Sequence, residues 1–187
     1  MSYHSSPSNS EIGCKNTHVL QGEFHVSDDP SEVLTTVLGS CVAACLYDPV
    51  AQLGGMNHFL LPISTSVPNP EQGFRYGAQA MELLINALVK LGARKSRLEA
   101  KLFGGGQMDP GLGAIGDRNA AFARQFLQTE GIPCVSHSLG GTMARRLKFW
   151  PTSGLARQML MPPAPSLEYA IQSQPTAPSG EITLFEE

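Results

Sequence analysis

Between residues 34 and 61 the chain reads as three short runs of aliphatic and β-branched side chains, Leu34 to Leu38, Val42 to Tyr47 and Met56 to Leu61, divided by Gly39-Ser40, Asp48-Pro49 and Gly54-Gly55. Runs of that length bounded by turn residues predict strands, and their close succession predicts a meander. The period then changes. Phe74, Ala78, Met81, Leu84, Ile85, Leu88 and Leu91 fall on one stripe of a helix spanning Phe74 to Leu91, with Gly92 as its stop. A strand at Leu98 to Phe103 leads into Gly104-Gly105-Gly106, and a second helix is expected over Arg118 to Glu130, capped by Asp117. Ile132 to Ser136, Leu147 to Trp150 and Leu155 to Leu160 are further strand segments. Strands precede, separate and follow only two helices, a pattern that favours a layered α+β fold over a regular βαβ repeat.

Residues 1–17 and 163–187 are rich in Ser, Pro and Gln. Such stretches bury too little apolar surface to offset ordering entropy, which leaves a single domain over 18–162 with a flexible segment at each side. Within the tail, Ile182 to Phe185 is an apolar patch followed by Glu186 and Glu187, readable as a docking strand or as a disordered recognition motif. A net charge of −3 and a pI near 5.9 lack the footprint of a general nucleic-acid binder. The apolar runs fall far short of the ~20 residues a membrane span needs. The Ser-rich, polar N-terminus has no basic flank or apolar stretch of a secretory signal, so the cytoplasm is the expected compartment.

Gly111-Leu112-Gly113-Ala114-Ile115-Gly116 matches a dinucleotide-binding pattern formally, but Gly104 to Pro110 separates it from the preceding strand and no acidic residue ends the following one. It reads as a turn-rich loop. Cys41, Cys45 and His58 lack the paired spacing of a structural zinc site, so no metal is expected. Cys14, Cys45 and Cys134 read as small packing residues, too few with Cys41 for a disulfide scaffold. Arg145, Arg146 and Lys148 form a basic cluster that reads as a solvated face, the alternative being contact with an acidic partner surface.

Cys41 has a different setting. It follows a Gly-Ser turn at the mouth of a strand, where a thiol is accessible, small neighbours let a substrate backbone approach, and amides around Ser40 can donate to an oxyanion. His58, on a strand that follows, supplies a candidate base that would hold the thiol as thiolate with a lowered pKa. Thr35 and Thr36 offer hydroxyls to orient the ring, and since their side chains point to opposite faces of a strand only one can serve.

These residues carry a resemblance. Gly22-Glu23, then Thr35-Thr36-Val37-Leu38-Gly39-Ser40-Cys41 through Asp48-Pro49, and Gly54-Gly55-Met56-Asn57-His58 through Pro62, resemble the chemoreceptor glutamine deamidase family, CheD. The likeness continues through Arg75-Tyr76-Gly77, Leu98 to Gly106, Ile115 to Asn119 and Gly140-Gly141 with Arg145, covering residues 18–162. It implies a layered α/β/β sandwich with two main helices, and a cytoplasmic enzyme that hydrolyses selected receptor glutamines to glutamate with release of ammonia. The implied triad is Cys41, His58 and Thr35, working through a cysteine thioester without a metal or organic cofactor. An exposed glutamine on a receptor coiled coil calls for an open groove, with Gly104, Gly105 and Gly106 as a candidate wall. The implied partners are the cytoplasmic helical region of methyl-accepting chemotaxis receptors, in membrane receptor arrays, and a CheC-type chemotaxis phosphatase. The rival readings are a transglutaminase using the same thioester and a non-catalytic adaptor that binds receptors or the phosphatase.

Overall fold

The computed structural model describes residues 14–62, 70–108 and 114–162. Nine strands and two helices follow one another as β1 (Lys15–His18), β2 (Phe24–Ser27), β3 (Glu32–Leu38), β4 (Val42–Asp48), β5 (Leu53–Phe59), α1 (Pro70–Lys90), β6 (Glu99–Gly104), α2 (Ile115–Thr129), β7 (Cys134–Leu139), β8 (Ala144–Trp150) and β9 (Leu155–Met161). Two sheets form, one in the order β1-β3-β8-β9 and one in the order β2-β5-β4-β6-β7. Side chains alternate across each strand, so every buried strand of the five-stranded sheet feeds two cores. Ala43, Cys45, Met56 and Phe103 face the other sheet and pack with Leu34, Leu38, Leu147 and Phe149. Val42, Ala44, Leu46 and Phe59 face the opposite way and pack with Met81, Leu84 and Leu88 of α1 and Phe122, Ala123 and Phe126 of α2. The result is the expected α+β sandwich of helices, sheet and sheet.

Several expectations need correction. The first three strands are not a meander: β3 pairs with β1 and β8, while β4 pairs with β5 and β6 in the other sheet. Gly54-Gly55 is not a turn but lies inside β5, because β-carbons there would strike the Pro151 carbonyl, the His25 carbonyl and the Leu84 side chain. Glycine inside a strand marks such a close approach. The α1 stripe is buried at Met81, Leu84, Ile85 and Leu88, but its two ends, Phe74 and Leu91, are about half exposed. The helix stops as expected at Gly92, which adopts a left-handed φ of 106°. α2 begins earlier than expected, so Asp117 sits in its first turn, where it accepts a hydrogen bond from Gln107, and Ala114 takes the cap position. β1 and β2 were not anticipated, and β1 starts inside the segment expected to be flexible. Cys134 is exposed on β7 rather than packed.

Two buried carboxylates fasten strand ends. At the end of β4, burial alone would raise the Asp48 carboxyl, yet the Arg97 guanidinium and the amides of Arg94, Ala51 and Val50 hold it well below the usual range. Glu32 of β3 is likewise penalised by burial, but hydrogen bonds from Ser27, Thr17 and Lys15 and the charge of His25 bring it to about 2. A carboxyl with a depressed native pKa contributes stability that is complete above its unfolded value and vanishes as pH falls through the native one. The urea midpoint should therefore stay flat from neutrality to about pH 5 and decline towards pH 2. Asp48→Ala, which strips Arg97 and three amides of their partner, should destabilise the native state by about 3 kcal/mol in the same measurement.

Candidate active site

The chain crosses from one sheet to the other at Gly39-Ser40-Cys41, between β3 and β4. All three carbonyls of this crossing are bound. Gly106 N–H donates to the Gly39 carbonyl at 2.8 Å and Gly105 N–H to that of Cys41 at 2.7 Å. The Asn119 side-chain amide donates to the Ser40 carbonyl at 2.8 Å. The glycine loop has to be glycine where it touches the crossing: a β-carbon at Gly104, whose φ is 109°, would lie 2.1 Å from the Cys41 carbonyl oxygen. Gly104, Gly105 and Gly106 are all buried. They support the crossing from beneath rather than forming the wall of an open groove, and the amides of Gly105 and Gly106 are already committed to its carbonyls.

Ala43 of β4 lies directly opposite His58 of β5, so Cys41, two residues before Ala43, is on the same face and diagonal to the histidine. That face is turned towards the four-stranded sheet. The Cys41 thiol is half-buried and donates to the Gln21 side-chain carbonyl at 3.3 Å. The His58 ring is buried, and its backbone is fixed by Gly22, whose N–H donates to the His58 carbonyl, and by Glu23, whose carbonyl accepts from the His58 amide.

The hydroxyl beside the ring is that of Thr36, not Thr35. Thr36 Oγ1 lies 2.9 Å from His58 Nδ1 and donates its own proton to the Val19 carbonyl at 2.8 Å. Thr35 is on the outer face of β3, where it meets His18 Nδ1 at 3.3 Å. The reason is alternation: even-numbered β3 residues point into the sandwich and Thr35 cannot follow them. Because the single Thr36 proton is spent on Val19, its oxygen must accept from Nδ1–H, which leaves Nε2 as the basic nitrogen. Nε2 is buried and has no hydrogen-bond partner among the described residues.

Burial pushes the Cys41 thiol up, partly offset by its own backbone amide, and pushes His58 down against a raising contact with Val19. Both shifts favour a neutral thiol and a neutral imidazole, not the preformed ion pair expected from the pairing alone, and the thiol donates to Gln21 while His58 Nε2 has no hydrogen-bond partner among the described residues. Cys45 is fully buried and its thiol is pushed far up. Among the described residues no group of three or more His, Cys, Asp or Glu could hold a metal.

Asn119 was not singled out by residue type, yet it belongs to this site. It is fully buried on α2, and besides holding Ser40 its carbonyl oxygen accepts from Leu61 N–H at 2.9 Å. One side chain thus ties the segment before Cys41 to the segment after His58. Of the glycine-rich motif, Gly111 and Gly113 lie outside the described residues, and Gly116 packs in the first turn of α2 against the Gly105 and Gly106 carbonyls. In the basic cluster, Arg145 is buried and donates to the Ser138 carbonyl and the Gly140 carbonyl, so only Arg146 and Lys148 belong to an outer face.

The fold and the site define a class: an α/β/β sandwich with a cysteine at the point where the chain changes sheets and a histidine on β5, the strand paired with the one that follows it. The chain belongs to the CheD family. The family model described as CheD chemotactic sensory transduction matches residues 60–159. A relative from Caulobacter sp. (strain K31) is 57% identical over 90% of this chain and 92% of its own length. Others from Cereibacter sphaeroides and Rhizobium leguminosarum bv. trifolii are each 52% identical, over 97% and 92% of this chain and 89% and 95% of their own lengths. Each of the three is named a probable chemoreceptor glutamine deamidase CheD. A solved structure from Neisseria meningitidis, protein NMB0706, is similar at 15% identity over 71% of this chain and 65% of its own, with a TM-score of 0.45. No helix among the described residues is long and apolar enough to cross a membrane.

The geometry predicts how the thiol responds to changes around it. Asn119→Ala should slow alkylation of Cys41 by iodoacetamide or alter its pH dependence while the far-ultraviolet circular dichroism stays native. Gly104→Ala should lower the melting temperature and disturb Cys41 as well, since the new methyl cannot coexist with the Cys41 carbonyl. Unchanged thiol reactivity in both variants would show that the crossing does not depend on its supports.

Proposed function

We propose that this protein hydrolyses the side-chain amide of selected chemoreceptor glutamines to glutamate, with Cys41 as nucleophile, His58 as acid and base, and Thr36 as the group that orients the ring. The observation that carries the reading is the Thr36 contact, which leaves the basic nitrogen of a buried imidazole unpaired on the strand next to an accessible thiol. The names of the relatives supply the substrate class.

His58 Nε2 takes the thiol proton as sulfur attacks the carboxamide carbon, and the oxyanion is held by amides around Ser40 and Cys41. Collapse breaks the C–N bond, and the imidazolium gives its proton to the departing amine, which leaves as ammonia. Water then attacks the thioester, its proton going to Nε2, and the proton returns to sulfur as the glutamate carboxylate is freed. Each turnover adds one negative charge to the receptor. The cytoplasmic helical region of chemoreceptors is the proposed partner, with the protein acting at receptor arrays, and no metal or organic cofactor enters this scheme.

The test incubates purified protein with a receptor cytoplasmic fragment and follows ammonia together with site-resolved mass spectrometry of the glutamines. Wild type should convert specific sites and Cys41→Ala none. Thr36→Val should lower kcat by about tenfold with little change in KM, whereas Thr35→Val should stay within about twofold. Binding without conversion by wild type, across several receptors, would replace the enzyme with an adaptor. Only neutral His58 can accept the thiol proton and burial lowers its pKa, so kcat/KM should rise with pH along an acid limb whose midpoint lies below 6.5. A midpoint above 6.5 would exclude the buried neutral imidazole as base.

A further inference from the structure

The five-stranded sheet is covered on its outer side by α1 and α2, but among the described residues no helix or strand packs on the outer side of the four-stranded sheet. The registers of that sheet place its outward side chains in rows. Val37 pairs with Arg146 and Arg146 with Met159; His18 pairs with Thr35, Thr35 with Lys148 and Lys148 with Arg157. These rows hold cationic and apolar residues and no Asp or Glu. Val37 and Met159 are about half exposed, and the Arg157 guanidinium lies over the Trp150 ring. The surface is concave, with a groove of about 340 Å³ lined by Asn16, His18, Thr35, Thr36, Val37, Arg146 and Lys148. Exposed apolar side chains among cations, in a concavity, are the marks of an interaction site for an acidic and apolar segment.

The chain itself contains such a segment. Residues 163–187 hold four of the 16 acidic residues, Glu168, Glu181, Glu186 and Glu187, and none of the 13 Lys and Arg. Glu181, Glu186 and Glu187 bracket Ile182, Leu184 and Phe185. β9 ends at Met161 on the edge of the same sheet. The 18 residues 163–180 have a contour length of up to about 60 Å, against about 15 Å across four strands, so chain length does not keep the segment from any row.

We propose that residues 181–187 of this chain dock on the outer face of the four-stranded sheet, with Ile182, Leu184 and Phe185 against Val37 and Met159 and the glutamates beside Arg146 and Arg157.

The experiment uses the full chain with a photoreactive benzophenone amino acid in place of Phe185, and adducts are mapped by mass spectrometry after irradiation. Adducts should concentrate on Val37, Arg146 and Met159, and their yield should fall about fivefold when Arg146→Glu is combined with Arg157→Glu or when salt is raised to about 0.5 M. Adding Glu186→Lys and Glu187→Lys to the Arg146→Glu, Arg157→Glu chain should restore the yield, which a misfolded sheet would not permit. Adducts scattered over the surface, or concentrated on it but unmoved by the charge reversals, would overturn the proposal. A mixture of isotope-labelled and unlabelled protein fixes the occupant: adducts within one chain support the proposal, and adducts joining the two labels would replace it with docking between copies.

Discussion

The peptide backbone of residues 39–41 carries the chain from the four-stranded to the five-stranded sheet, and none of its carbonyls is left to solvent. Each is bound by the layer beneath, two by the glycine loop after β6 and one by Asn119 of α2. A buried carbonyl without a partner is costly, so such a crossing can exist only where a donor is supplied for every group. The requirement runs outward through the fold. Gly104 must lack a side chain to reach the Cys41 carbonyl, Gly116 must lack one so that α2 can approach the loop, and Asn119 then arrives within reach of Ser40. The second helix, the sixth strand and the Cys41 turn are therefore one unit.

Within that unit a single hydroxyl proton decides the chemistry of the histidine. Val19 accepts the proton of Thr36, and the same oxygen accepts from Nδ1, so the tautomer with a basic Nε2 follows from proton counting. A carboxylate in the place of Thr36 would hold imidazolium more strongly and raise the ring's pKa. A hydroxyl orients without adding charge, which agrees with a histidine kept neutral by burial.

The sequence made much of this legible. The apolar runs of β3 and β4, the α1 stripe and the Gly-Ser-Cys turn announce themselves because local periodicity and turn chemistry agree with the tertiary result. Thr35 and Thr36 were separable in principle but not in identity: alternation places them on opposite faces, and which face meets His58 depends on β3 leaving for the other sheet. Gly54-Gly55 reads as a turn until α1 and Pro151 are seen to lie against it. β1 and β2, four residues each, are ordered by their partners and by the carboxylate of Glu32 rather than by any apolar pattern of their own. Asn119 falls in the Ile115 to Asn119 run that carries the resemblance, but its role was not legible there for a related reason: its two partners lie 79 and 58 residues away.

A neutral thiol on the same face as a neutral imidazole has consequences for selectivity. A preformed thiolate reacts with many electrophiles and with oxidants, whereas a thiol raised by burial is inert until its proton is taken. The Cys41 site supplies the acceptor but not the driving force, since desolvation disfavours charge on both partners. What can supply it is the reaction itself. In the proposed reaction, as sulfur bonds to a carboxamide its charge would pass to the developing oxyanion, to be stabilised by backbone amides near the turn while imidazolium forms alongside. On that proposal charge would be created only in the transition state and where donors await it, so an amide seated against the turn would be activated and a passing electrophile would not. Under the same proposal the hydrogen-bonded crossing would serve that selectivity, because donors aimed at a transition state help only when they cannot relax away from it.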